Sequence, residues 1–324
     1  MYFIFIILVI TIVNSFHLSE VELFFSFGDS LSAGFGILNN EFSKLDEYRG
    51  LSGFAGCDQS ITFPNLLKQY ATFEGCSTGQ HLVEICYNYL CPPFQYREAD
   101  HLNVAQSGAM VMNLQHEYDE LLSRFQNIPD WQNKKKLGIL VIGANDACLS
   151  DLNKNANYYD YFDKLFQQIN ELPNTKLIVF PFFHISGLVN LSRQNKGCTV
   201  INKILSIECS SAFIFPSYLP KMDHLIDQMN QDIQNSALNY QNIIVKNIFN
   251  AKDISDAPPN FISLVDCFHI SQMAHEAIAI NMWNSFFGET EMNYFPVINK
   301  GTNIDLSDLS DLSDLLSVKK QKLR

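Results

Sequence analysis

Positive charge is scarce in this chain. Its 324 residues hold 22 Lys and Arg against 34 Asp and Glu, a formal net charge of −12. Such a surface repels polyanions, which argues against nucleic-acid binding. The two basic clusters, Lys134-Lys135-Lys136 and the terminal Lys319-Lys320-Gln321-Lys322-Leu323-Arg324, lack interleaved aromatics for base stacking and read as solvated faces. Glycine (15) and proline (11) are too few for a collagenous or low-complexity chain. No repeat of domain length recurs, and no C-x-x-C pair offers a zinc pattern. Apolar runs of membrane-spanning length are also missing, since the run from Tyr2 to Val13 falls short of the roughly 20 residues a spanning helix needs. What is present is 47% hydrophobic residues with 17% charged, the composition of a globular chain long enough to bury a substantial core.

The Tyr2 to Val13 run, followed by Asn14, Ser15 and Phe16, suits the core of a signal peptide over residues 1–15, although no Lys or Arg precedes it. The mature chain is then expected to start near Phe16 and to pass into a secretory lumen, ending outside the cell or in an acidic organelle such as the lysosome. Eight cysteines fit that oxidising route. Spacing favours a Cys198 to Cys209 bridge and two bridges among Cys57, Cys76, Cys86 and Cys91. Asn190-Leu191-Ser192 is a glycosylation acceptor pattern and is expected at the surface.

Along the chain, β-rich apolar runs alternate with helical patterns, the rhythm of a parallel sheet covered by helices. Strands are expected at Glu22 to Phe27, His101 to Ala105, Leu137 to Ile142, Lys176 to Phe182 and Asn242 to Ile248. Helices are expected at Ile61 to Tyr70, Asn113 to Phe125, Tyr158 to Leu172, Tyr218 to Asn235 and Ser271 to Phe287. Leu38 to Gln59 and Thr72 to Glu98 fit neither pattern. They read as long excursions from the sheet edge, either pinned by disulfides or shaping a substrate cleft. From Gly301 onward, Asp-Leu-Ser repeats three times, which marks residues 301–324 as a low-complexity tail outside a domain of residues 16–300.

The first expected strand runs into Gly28-Asp29-Ser30-Leu31-Ser32, a turn able to present Ser30 at the carboxyl edge of a parallel sheet. It is not the G-x-S-x-G elbow of the α/β-hydrolases. A nucleophilic serine needs a base and a group to orient that base. Asp266-Cys267-Phe268-His269 supplies both, because an Asp and a His three residues apart can share one turn. Two further segments at strand ends, Gln106-Ser107-Gly108-Ala109 and Gly143-Ala144-Asn145-Asp146, supply donors. Acyl transfer builds negative charge on a carbonyl oxygen, and the N–H groups of Ser30 and Gly108 with the amide of Asn145 suit an oxyanion hole. Asp29 and Asp146 read as turn-fixing residues. His184 and His275 have no partner pattern and read as structural.

These four segments, in this order, resemble the blocks of the GDSL or SGNH hydrolase family: a Ser in G-D-S, a Gly, an Asn in G-x-N-D and a closing D-x-x-H. Within the family, Tyr48-Arg49-Gly50-Leu51-Ser52, Phe63-Pro64-Asn65-Leu66-Leu67, Asn145-Asp146-Ala147-Cys148, Glu208-Cys209, Asp266-Cys267-Phe268-His269 and Met282-Trp283-Asn284 resemble the phospholipase B branch. The resemblance implies a three-layer α/β/α sandwich around a parallel sheet of about five strands, with phospholipids and lysophospholipids as substrates at a membrane or micelle surface. It departs from the pattern where Leu149, Ser150 and Asp151 follow Cys148, which leaves the partner of that cysteine open.

The mechanism so implied has Ser30 attack an ester carbonyl, His269 carry the proton and Asp266 hold His269. This chemistry requires neither metal nor cofactor. Two alternatives keep the fold: an esterase acting on short-chain or carbohydrate acetyl esters, or an acyltransferase. A lipid-binding protein with a dead site fits less well, because all four blocks stand. Phe35, Phe54, Phe182 and Phe183 are candidates to line an acyl groove.

Overall fold

The computed structural model describes residues 17–38, 45–83, 85–86, 96–149, 156–198, 209–248, 254 and 257–287. The segment expected to be a signal peptide and the 301–324 tail lie outside the described residues.

Four parallel strands form the central sheet in the spatial order β1 (Leu23–Gly28), β4 (Lys136–Val141), β5 (Thr175–Val179) and β6 (Ile243–Val245). A short antiparallel ribbon pairs β2 (Asp46–Glu47) with β3 (His81–Leu82). Every residue of β1 and β4 is buried, as expected for a parallel sheet covered on both faces.

Successive side chains of a strand point to opposite faces, and β1 shows the two layers they meet. Phe24 packs on Phe63 at 6.2 Å between ring centroids, and Phe63 packs on Trp283 at 5.7 Å. This face is covered by α2 (Phe63–Leu67) and the long C-terminal helix α9 (Gln272–Phe287). Phe25 points the other way, edge-on to Phe125 at 5.8 Å in α3 (Leu114–Gln126). Helices α5 (Tyr158–Glu171) and α8 (Leu219–Ala237) continue the layer begun by α3. Gly138 of β4 makes room for Phe25, whose ring lies 2.1 Å from where a Cβ would stand. Helices and sheet together make the expected α/β/α sandwich.

Among the described residues the sheet has four strands where about five were expected. His101 to Ala105 does lie beside β1, with the N–H of Ser26 bonded to Leu102 O and that of Val104 to Ser26 O, but a single bridge at Asn103 is all that forms. Side chains take the other ladder partners. Asn103 Oδ1 accepts the N–H of Ala105, and the Arg49 guanidinium takes the carbonyls of Asn103 and Ala105. A helix not expected from the sequence, α6 (Ile185–Gln194), follows β5. It places Asn190 at the surface and Ser192 in the core.

The disulfides correct the spacing argument. Cys198 bonds Cys267, not Cys209, while Cys209 bonds Cys148 and so supplies the partner that the sequence left open. Cys57–Cys76 is one bridge among the first four cysteines. It ties the two long excursions together, so they are disulfide-pinned. None of the described helices is long and apolar enough to cross a membrane.

Candidate active site

Strand β1 ends at Gly28 with φ +141°, where a Cβ would lie 2.3 Å from Val141 O, so no other residue fits this turn. Asp29 then caps the four-residue helix α1 (Ser30–Ala33), its carboxylate accepting the N–H of Leu31 at 3.0 Å. Ser30 is the first residue of that helix, so its own N–H has no intrahelical acceptor.

The turn from Asp266 to His269 reaches Ser30 from the far end of the chain. Asp266 Oδ1 accepts the N–H groups of Phe268 and His269, each at 3.0 Å, and Oδ2 meets His269 Nδ1 at 2.5 Å. The other imidazole nitrogen, Nε2, stands 2.6 Å from Ser30 Oγ. All three side chains are buried, with Ser30, Asp266 and His269 at 3%, 5% and 4% exposure. Cys267, between the acid and the histidine, has φ +60° and is anchored by its bridge to Cys198. Ser263 fastens the turn to the loop beyond Ser30, donating its N–H to His269 O at 2.8 Å and its hydroxyl to Gly36 O at 2.6 Å.

Burial opposes charge on Asp266, yet the imidazole of His269 and the N–H groups of Phe268 and His269 outweigh it and hold the carboxyl below its ordinary value. An ionised Asp266 on Nδ1 keeps the proton there and leaves Nε2 as the acceptor facing the hydroxyl.

Gly108 and Asn145 lie at the same carboxyl edge of the sheet. The loop that carries Gly108 is latched to β1 by Gln106 N–H on Gly28 O at 3.0 Å. Asn145, in α4 (Ala144–Cys148) just past β4, donates its amide to Ala109 O at 2.8 Å, which joins the two donor segments. Gly108 has φ +79°, and a Cβ there would lie 2.3 Å from Cys86 O.

Behind this edge sit two buried carboxyls that sequence reasoning did not assign to the site. Glu117 accepts the N–H of Gly28 at 2.9 Å, and burial pushes it well above the ordinary carboxylate range. Asp146 accepts the N–H of Val111 at 3.0 Å and is pushed up by burial to about 7, with Asp29 adding repulsion. Asp29 fixes its own turn as expected, whereas Asp146 reaches a segment 35 residues away.

Two histidines stay apart from Ser30 and His269. His184 meets Asp227 at 2.8 Å on the surface. His275 is fully buried, accepts the N–H of Gly53 at 3.2 Å and is held neutral by burial and the neighbouring His269, its pKa down at about 3. Of the four phenylalanines considered for an acyl groove, Phe35 is the one whose ring lies against His269, at 4.6 Å between centroids. Phe54 packs on His275, and Phe182 and Phe183 stack on each other in the interior.

A model of the family described as GDSL-like Lipase/Acylhydrolase matches residues 24–282, most of the chain and all of these site segments. The chain belongs to this family. A GDSL-like lipase/acylhydrolase is an ester hydrolase, and the parallel sheet flanked by helices accords with the membership. Among curated proteins, the chain is similar to the membrane-associated phospholipase B1 of Homo sapiens, 26% identical over 304 residues that cover 85% of this chain and 19% of the relative. The Rattus norvegicus and Mus musculus proteins of the same name are each 25% identical, over 303 and 311 residues, which are 20% of each. The chain thus spans about one fifth of the length of these relatives.

Beside the GDSL site the structure adds residues that the sequence reading did not give a role. Arg49 and Ser107 stood in quoted segments, but nothing in their spacing joined them to each other or to Glu47. The αL turn at Cys267 was equally invisible, since its signal would have been the pairing with Cys198.

Proposed function

We propose that this chain releases fatty acids from phospholipids and lysophospholipids, with Ser30 as nucleophile, His269 as base and Asp266 as the group that orients it. The observation that carries the reading is the unbroken line of contacts from Asp266 Oδ2 through His269 to Ser30 Oγ, at 2.5 and 2.6 Å. Likeness to phospholipases B1 supports the choice of substrate class.

In the first half-reaction His269 Nε2 takes the proton of Ser30 as Oγ bonds to the ester carbonyl carbon. The carbonyl oxygen becomes an oxyanion, received by the N–H groups of Ser30 and Gly108 and the amide of Asn145. When the carbon–oxygen bond to the leaving alcohol breaks, His269 returns the proton to that oxygen. Water, deprotonated by His269, then attacks the acyl-enzyme, and the fatty acid leaves as Ser30 regains its proton. His269 carries the proton in both half-reactions.

Three disulfides among the described residues support folding in an oxidising lumen, in keeping with residues 1–15 as a signal peptide and with residues 16–300 as the hydrolase domain ahead of the 301–324 tail. N-terminal sequencing of the secreted protein is expected to begin near Phe16.

The test is a time course of purified protein on a diacyl phosphatidylcholine, with fatty acid and lysophospholipid followed by mass. Wild type is expected to release both acyl chains in succession, while Ser30→Ala and His269→Ala stay folded and silent. Activity in either purified variant overturns the assignment of roles. A wild type that ignores phospholipid but splits a short-chain ester moves the substrate to the acetyl-ester class.

A further inference from the structure

We propose that Ser107, gripped by the buried carboxylate of Glu47, is a positioning residue that fixes the direction of the Gly108 N–H. The inference rests on the reading of Gly108 as an oxyanion donor and goes one step behind it.

The N–H of Gly108 belongs to the same rigid peptide plane as the carbonyl of Ser107, and in a trans peptide the two groups point in opposite directions. Whatever fixes Ser107 therefore aims that N–H. Two bonds do so. The Ser107 carbonyl accepts the N–H of Cys86 at 2.8 Å, and the Ser107 hydroxyl donates to Glu47 Oε1 at 2.6 Å. A hydroxyl bonded to a carboxylate is a short, charge-assisted bond, stronger than a neutral one.

The other oxygen of Glu47 accepts Arg49 Nε at 2.9 Å, and Arg49 itself is 1% exposed. Its remaining nitrogens reach back to the same loop, Nη1 donating to Asn103 O at 3.2 Å and Nη2 to Ala105 O at 2.8 Å. Asp100 lies 3.2 Å from Arg49 Nε, and His81 Nε2 stands 3.2 Å from Asp100 and 3.6 Å from Glu47. Residues 103, 105 and 107 are thus tied to one buried ionic cluster, while Gln106 is tied to the end of β1. The loop is set before substrate arrives, which is the condition under which an oxyanion donor is worth most.

Glu47 and Arg49 are poor first targets, because stripping one partner from a buried ion pair leaves an uncompensated charge. Ser107→Ala removes only the hydroxyl. With a soluble chromogenic acyl ester, Ser107→Ala is expected to keep its KM within about twofold and lose about tenfold or more in kcat, since misaimed donors cost turnover and not ground-state binding. Covalent labelling of Ser30 by a fluorophosphonate is expected to slow by a similar factor, with Tm recording that the chain is folded. Glu47→Gln, of the same shape, is the second variant and is expected to lower kcat in the same sense. Either folded variant with kcat and labelling rate within twofold of wild type overturns the proposal, as does a loss carried by KM alone. A wild type that is not labelled at Ser30 overturns the site reading itself. Labelling of Ser30 at equal rates in wild type and Ser107→Ala overturns only the positioning role.

Discussion

At the scale of the residue, Asp266 is a charge kept in the interior for the sake of its neighbour. Its three hydrogen bonds offset the burial, and in return His269 is held in one tautomer. Asp266→Asn keeps the shape but presents an amide that can satisfy Nδ1 only by reversing the proton pattern. We expect kcat to fall by about 10⁴, the loss known for the equivalent change in a serine protease, with Tm measured beside it. Asp146 makes the opposite case. Its folded pKa of about 7 lies above the unfolded value near 3.8, so its contribution to stability is complete below about pH 4 and disappears as pH rises through about 7. Asp146→Asn, which keeps an acceptor for Val111, is therefore expected to flatten the Tm profile between about pH 4 and 7 and to gain on wild type as pH rises. A profile of unchanged slope would show that Asp146 is not protonated in the folded state. The candidate residues Ser30, Asp266 and His269 were legible because each stands in a short block with its neighbours. Their support was not: the bonds from Arg49 to Asn103 and Ala105, and from Ser107 to Glu47, span 54 to 60 residues, and no local pattern records them.

At the scale of the element, strands β1, β4, β5 and β6 and the longer helices fall close to where periodicity set them, because a buried strand and an amphipathic helix write their burial into the sequence. His101 to Ala105 has the same apolar lettering as a strand, and the difference lies in side chains of distant segments that intercept its backbone. The α6 helix escaped notice since Gly187 and Ser192 interrupt its buried apolar stripe. The Cys198–Cys267 bridge reaches from beyond α6 to the turn between Asp266 and His269. Replacing both cysteines by serine is expected to lower stability by about 2–5 kcal/mol, read by thermal or denaturant unfolding. Since Cys267, with φ +60°, sits within the Asp266–His269 turn, kcat is expected to fall as well, with KM little changed. A double variant that loses stability but keeps kcat would assign the bridge to the scaffold alone.

At the scale of the molecule, if phospholipid is the substrate as proposed, the formal charge of −12 bears on which lipid surface suits the chain. Like charges repel over roughly 8–10 Å at physiological ionic strength, and salt shortens that reach. On anionic vesicles, hydrolysis is expected to speed up as salt rises from low to physiological levels, while on zwitterionic vesicles it stays flat. A flat response on both would place the acidic groups away from the face that touches lipid. Overall charge was readable from composition, and so was the order of the four blocks. How those blocks converge was not, because convergence depends on the parallel sheet gathering strand ends to one edge.

That convergence sets a timetable for the newly made chain. Ser30 and His269 are 239 residues apart, and contacts of such separation close after local helices and adjacent strands have formed. Ser30 is synthesised well before His269. If Ser30 and His269 act as proposed, a nascent chain that stops short of Asp266 carries a serine with nothing to activate it, and stays inert until the Asp266–His269 turn docks beside Ser30.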